Sequence, residues 1–219
     1  HSKSTSDAAI KPGAQKAGFT IVADEGWKLT DTDFSAQVSK MKAANPDVVA
    51  LASHPFTTCG FLKEAARQGF RPKLVIFLTS TITEETVRGC GRELEGGIGP
   101  TSFAPINKKA REVSLTVADK YNGFIDLHSA GTYENIILLK QVIEKAGIDG
   151  RPDTVLQDRR KIRDALSQLT EFDGLLGKIR FRTDQPREVD KPWLVVEFKG
   201  GKFQPKWIPP EYQAAILTD

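Results

Sequence analysis

Hydrophobic and polar positions alternate with a helical period in some segments and a strand period in others, and the two trade places at short intervals over the first two thirds of the chain. Ser6 to Ala17 reads as a helix closed by Gly18, the residue most easily placed in the left-handed conformation that ends helices. Phe19 to Val22 reads as the next strand. Phe34, Val38 and Met41 recur at i, i+4, i+7 on one helix face, with Thr32 or Asp33 able to cap it and Asn45-Pro46 to stop it. Val48-Val49-Ala50-Leu51 follows as a strand apolar on both faces, which predicts a place inside the sheet. A helix from about Thr57 presents Phe61, Leu62 and Ala65 for burial and ends at Gly69, and Leu74 to Leu78 is another strand.

A short helix near Glu84 to Val87 is followed by glycine-rich Leu94 to Gly99, then a strand over Pro100 to Phe103. Val113, Val117 and Tyr121 form one helical stripe that Asn122-Gly123 ends. A long helix runs from about Ser129 through Ile136, Ile137, Val142 and Ile143 to Gly147, and another from Thr154 to Leu169. Strands then take over at Leu175 to Phe181, Trp193 to Phe198 and Lys202 to Trp207, the last two joined by Gly200-Gly201, a hairpin signal. Helices alternating with strands predict an α/β chain with a doubly wound parallel sheet. Such a sheet normally opens with a strand, whereas the first recognisable element here is a helix. An amino-terminal portion is therefore expected before it.

The composition, 39% hydrophobic and 27% charged over 219 residues, is that of an ordinary globular chain, so disorder and fibrous repeats drop out. A net charge of +3, spread from Lys3 to Lys206, is too small and too scattered to argue for nucleic acid as a partner. Leu74 to Leu78 is among the longest apolar runs, far short of the roughly 20 residues that cross a bilayer. The chain begins at His1-Ser2-Lys3, so the absence of a visible signal peptide carries no information on compartment. Cys59 and Cys90 fit either one disulfide or two buried thiols.

Catalytic signatures are missing: there is no phosphate-binding Gly-x-x-x-x-Gly-Lys-Ser/Thr loop, no His-Glu-x-x-His and no Gly-x-Ser-x-Gly. His1, His54 and His128 are too dispersed to suggest a local metal site. Gly96-Gly97-Ile98-Gly99 precedes a strand and not a helix, so it reads as a turn and not as a dinucleotide loop. No cofactor and no metal are expected.

The run from Thr30 to Val49, Thr-Asp-Thr-Asp-Phe-Ser-Ala-Gln-Val-Ser-Lys-Met-Lys-Ala-Ala-Asn-Pro-Asp-Val-Val, resembles the second-lobe signature of type I periplasmic solute-binding proteins of the branched-chain amino-acid transport family. Leu62 to Phe70 is similar to that family's next helix, Gly131-Thr132-Tyr133-Glu134-Asn135 to the head of its long crossover helix, and Val142 to Gly147 to the end of that helix. Phe172 to Phe181 is similar to its late glycine-punctuated strand. The resemblance implies a second lobe over residues 1–125, crossover elements over 126–185 that return to a first lobe, and a carboxy-terminal hairpin and tail over 186–219. It implies a missing amino-terminal lobe, a periplasmic or extracellular setting, and an ABC-transporter membrane permease as partner.

In open parallel sheets ligands lie beyond the carboxyl ends of the strands. Ser2 before the first helix, His54 and Phe56 after the Val48 strand, and Thr79, Ser80 and Thr81 after the Leu74 strand meet that description. Tyr133 stands where the family carries an aromatic at the head of the crossover helix. The family pairs a ligand ammonium with a second-lobe acid, yet Thr79 to Thr83 offers no carboxylate before Glu84, so an aromatic or aliphatic carboxylic acid stands beside an amino acid as the ligand class. Two other readings are a regulator's ligand-sensing domain with the same fold and an enzyme of flavodoxin-like architecture. No nucleophile with its base supports the enzyme.

Overall fold

Parallel strands cannot be joined by tight turns, so each must be followed by a crossover, and the chain supplies one after every early strand. In a computed structural model, which describes residues 2–182, 184 and 189–217 with Ser2 by its backbone alone, helical residues begin at once. Helix α1 (Ser2–Thr5) widens into a π-helical stretch at Ser6–Ile10 and resumes as α2 (Lys11–Lys16). Then come α3 (Ser35–Ala44), β1 (Val48–Leu51), α4 (Pro55–Arg67), β2 (Leu74–Phe77), a 3-10 turn at Thr79–Thr81, α5 (Glu84–Cys90) and β3 (Ile98–Thr101). The remainder comprises α6 (Lys108–Tyr121), α7 (Leu127–Lys145), α8 (Val155–Ser167), β4 (Glu171–Gly174), β5 (Gly177–Phe181), β6 (Val189–Asp190), β7 (Leu194–Lys199), β8 (Lys202–Trp207) and α9 (Pro210–Ile216).

Two compact units result, one of His1–Thr101 with Val195–Trp207, the other of Ser102–Leu194 with Ile208–Asp219. The first holds a five-stranded sheet in the order β1-β2-β3-β7-β8. Val48 to Leu51 run parallel to Leu74 to Phe77, and Ile76 pairs with Ile98. The β7–β8 hairpin turns at Gly200-Gly201, whose φ values of 60° and 84° suit the twist of a two-residue hairpin. The fold is thus α/β with a parallel sheet that an antiparallel hairpin extends.

The core of this unit lies where α3, α4 and α5 cover the sheet. Phe34, Val38, Val49, Leu51, Phe61, Leu62, Ala65, Phe77 and Leu94 are buried together there, and Phe198 joins them from β7. Trp27 stacks on Phe61 at 5.4 Å and meets Phe34 edge-on at 5.6 Å. Cys59 and Cys90 are joined in a disulfide, which pins α4 to the end of α5. Beyond α4, the Gln68 side chain donates to the Ser35 carbonyl and to Glu64 and accepts from Ser39, tying the end of α4 to α3. Arg67 first, then Gln68, hold the Glu64 carboxyl at about 2, well below its usual range.

Several sequence expectations need correction. Phe19 to Val22 forms no strand; Phe19 and Val22 are more than half exposed, and the irregular stretch is anchored by Trp27 instead. Its alternation is compatible with a strand, but a strand needs a neighbour to complete its hydrogen bonds. β1 stands at the end of the strand order and not inside it, with Ala50 exposed. An apolar run reports on the two faces of a strand and is silent about its two edges. The strand after the glycine loop begins at Ile98 and not Pro100. Of the stripe Val113, Val117 and Tyr121, the first two are half-buried and Tyr121 is 75% exposed, Ala110 being the buried residue of α6.

In the second unit β4, β5 and β6 form an antiparallel sheet. Its anchor is Glu134 of α7, 5% exposed, which accepts the Leu175 amide at 2.7 Å and pairs with Lys191. Asn107 caps α6 through the Ala110 amide and donates to the Leu175 carbonyl at 2.9 Å. Both amide and carbonyl of the Leu175 turn are therefore satisfied by side chains from helices.

Three measurements check this packing. A Cβ on Gly97 would lie 2.2 Å from the Phe77 ring, so Gly97→Ala is expected to lower unfolding free energy by about 1–3 kcal/mol in urea denaturation. Reducing Cys59–Cys90 frees a closure of 31 residues and should lower stability by about 3–4 kcal/mol, with no thiol alkylated before reduction. Glu64 should titrate near pH 2 in carboxylate NMR. Because its folded value is depressed, its contribution to stability is present above the ordinary Glu range and is lost as pH falls towards 2.

Candidate functional site

The carboxyl ends of β1 and β2 carry the loops on which the sequence places most of its candidates. After Leu51 the chain passes through Ala52 and Ser53 to His54, the N-cap residue of α4, held extended at φ −97° and ψ 165°. Pro55 at the first helical position disfavours any helical conformation at His54 and removes one amide that a helix start leaves unpaired. The His54 carbonyl accepts the Thr58 amide at 2.9 Å and the Thr57 hydroxyl at 3.2 Å. Its imidazole makes no capping bond, so the first turn of α4 is uncapped by a side chain. His54 is half-buried and Phe56 is 56% exposed.

After Phe77 the chain enters the 3-10 turn of Thr79, Ser80 and Thr81. Thr79 and Ser80 are half-buried, and the Ser80 hydroxyl donates to the Ser53 carbonyl at 3.4 Å. Thr81 is fully buried and its hydroxyl donates to the same carbonyl at 3.0 Å. Thr81 therefore supports the surface from below and offers no hydroxyl to solvent. Nor does it cap α5: Thr83 does, accepting the Thr86 amide at 3.2 Å.

The structure thus brings His54, Phe56, Thr79 and Ser80 onto neighbouring strand ends of one unit, with Thr81 beneath them. Ser2 opens α1, and its side chain lies outside what is described, as does His1. Tyr133 belongs to the other unit, in the second turn of α7, where it is 42% exposed. Asp126 begins that helix with a capping box, accepting the His128 and Ser129 amides. His128 is exposed on the first turn. Glu84, the first carboxylate after Thr79, sits in the first turn of α5 and pairs with Arg88.

Sequence reasoning placed Ser53 in the strand-end run with His54 to Phe56 but did not foresee that it is buried with Thr57 and Thr58, at 3%, 1% and 0% exposure. Ser53 and Thr58 hydroxyls lie 2.5 Å apart, and Thr58 and Thr81 hydroxyls 3.4 Å apart. A cluster of hydroxyls in an otherwise apolar stretch was the available signal. Among the described residues no group of three or more His, Cys, Asp or Glu could hold a metal ion, and no helix is long and apolar enough to cross a membrane. A hollow of about 240 Å³ lies in the second unit, lined by Asn107, Lys109, Glu112, Asp173 and Leu175, and it involves none of the strand-end residues.

Solved structures share this architecture. A leucine-binding protein, LivK, from Thermotoga maritima matches with a TM-score of 0.79 at 22% identity, over 94% of this chain and 56% of that one. LivJ from Streptococcus pneumoniae, a branched-chain amino-acid transporter substrate-binding protein in complex with isoleucine, matches with a TM-score of 0.75 at 20% identity, over 90% and 55%. An ABC-transporter solute-binding protein from R. palustris in complex with benzoate gives 0.77 at 15%, over 92% and 53%. The chain spans a little over half the length of these structures. The family model of the periplasmic binding proteins matches residues 2–202. With a parallel sheet, crossover helices and strand-end loops in the arrangement described, this chain belongs to the periplasmic binding protein family.

Proposed function

We propose that this chain is the carboxy-terminal part of an extracytoplasmic solute-binding component of an ABC importer. The observation that carries this reading is the convergence of the β1 and β2 loops at the uncapped amino terminus of α4, with His54, Phe56 and Ser80 at the surface. In this reading residues 1–125 form the second ligand-binding lobe, 126–185 carry crossover elements of a first lobe, and 186–219 complete the lobes and their hinge. An amino-terminal lobe supplies the other wall of the cleft and a membrane permease receives the closed complex. The role is capture, not catalysis. It rests on the family and on the strand-end surface described above.

The ligand is an amino acid or a small aromatic or aliphatic carboxylic acid. The orphan amides of a helix start and its positive dipole end suit a carboxylate. Phe56 and the His54 ring offer faces for an apolar body, and Ser80 a hydroxyl. Thr79 completes the proposed contacts of this unit. The carboxylate at Glu84 is engaged by Arg88, which favours a ligand whose only charge is its carboxylate. Closure about the hinge is driven by contacts that the ligand makes in the closed form alone.

Mass spectrometry of small molecules released from the denatured intact protein identifies the ligand. His54→Ala in that protein is then expected to weaken its binding by at least about ten-fold, the cost of one charge-assisted hydrogen bond. The melting temperature of the empty protein should hold. Unchanged affinity, measured by calorimetry, would remove His54 from the site, and a parallel fall in stability would make its role structural.

A further inference from the structure

The hydroxyls beneath the strand-end surface have a direction that follows from counting protons. Each hydroxyl has one hydrogen to donate. The Thr81 hydroxyl donates to the Ser53 carbonyl, which can only accept. The Thr58–Thr81 contact must then be donated by Thr58, and the Ser53–Thr58 contact by Ser53. The result is a one-way circuit that leaves the Ser53 side chain, passes through Thr58 and Thr81, and returns to the Ser53 carbonyl. All three residues are at most 3% exposed, so no water competes for these bonds.

The circuit joins three pieces of chain: the loop after β1, the first turn of α4 and the turn after β2. Thr58 is its central member, and its backbone is fixed from two sides. Its amide donates to the His54 carbonyl, and the next residue, Cys59, is tied to Cys90 of α5. We infer that Thr58 is the positioning residue of the strand-end surface, its hydroxyl holding the His54 loop and the Thr79–Thr81 turn as one piece. This rests on the reading of that surface as the ligand face. Thr58 itself touches no ligand; it acts through Ser53 and Thr81.

Valine in place of Thr58 keeps the shape and removes both the donor and the acceptor, which leaves the Ser53 and Thr81 hydroxyls buried with a bond missing. Serine keeps the hydroxyl. The test is hydrogen exchange by mass spectrometry on the intact protein, without ligand. The reporters are the bonded amides of Thr58 in one segment and of Leu78, Thr81 and Ile82 in the other. Thr58→Val should accelerate exchange about ten-fold or more in both segments, 20 residues apart in sequence, while Thr58→Ser stays within about two-fold of the parent. Thr58→Ala, which removes the same hydroxyl and both of its bonds, should reproduce the two-segment pattern and serves if the valine variant does not fold. Acceleration confined to the Thr58 segment, no acceleration in either, or equal effects of valine and serine overturn the inference. Because no ligand is present, failure here is distinct from failure of the ligand reading, which the His54→Ala affinity decides.

Discussion

Parallel pairing of β1, β2 and β3 is the constraint from which the rest follows. Parallel neighbours start from the same side of the sheet, so their carboxyl ends emerge together and each chain must cross back before the next strand begins. The crossovers α4 and α5 occupy the returning path and supply most of the apolar side chains that cover the sheet. The same constraint puts the β1 and β2 loops beside each other although they are more than 20 residues apart in sequence. A surface suited to binding is thus a by-product of strand direction before any side chain is chosen.

What the side chains add is rigidity under that surface. Within the first unit, α4 is held at its start by the Ser53–Thr58–Thr81 hydroxyls, in its first turns by the disulfide to α5, and at its end by Gln68 and Lys42, the latter donating to the Gln68 carbonyl at 2.6 Å. Buried hydroxyls are costly unless every bond is made, and here they are made with one another. That leaves the His54 imidazole and the Phe56 ring outside this network, while the Ser80 hydroxyl also donates to the Ser53 carbonyl. In the second unit Glu134 plays the corresponding part, satisfying the Leu175 amide while Lys191 neutralises its charge.

Much of the fold was legible because helix ends are written in local chemistry. Gly18, Gly69 and Gly147, with φ between 63° and 83°, and the left-handed Asn45 and Asn122 stand where the chain must leave a helix, and their residue types announce it. Gly200-Gly201 announces the hairpin for the same reason. The strand-end loops were legible through order alone, since a strand followed by a helix in a parallel sheet fixes which end faces a ligand. The family resemblance covered the head and end of the long crossover helix and a late strand over Phe172 to Phe181; the strand expected over Leu175 to Phe181 is instead the second arm of the β4–β5 hairpin, which turns at Leu175-Leu176, because the two glycines flanking that pair let the chain reverse.

What the sequence by itself determined was therefore the local and the ordinal: which segments are helices, which strands are parallel, where turns need positive φ, and which loops share an edge. Tertiary structure alone decided which edges are paired and which polar atoms meet. Phe19 to Val22 carries an adequate strand pattern and is no strand, and β1 carries an interior pattern and stands at an edge, because hydrogen-bond partners along a sheet are a property of neighbours and not of the segment. Ser53, Thr58 and Thr81 are unremarkable residues in separate elements. Their circuit exists only after α4 has folded back across the two strands, when burial removes water and each hydroxyl is left with a single place to send its proton.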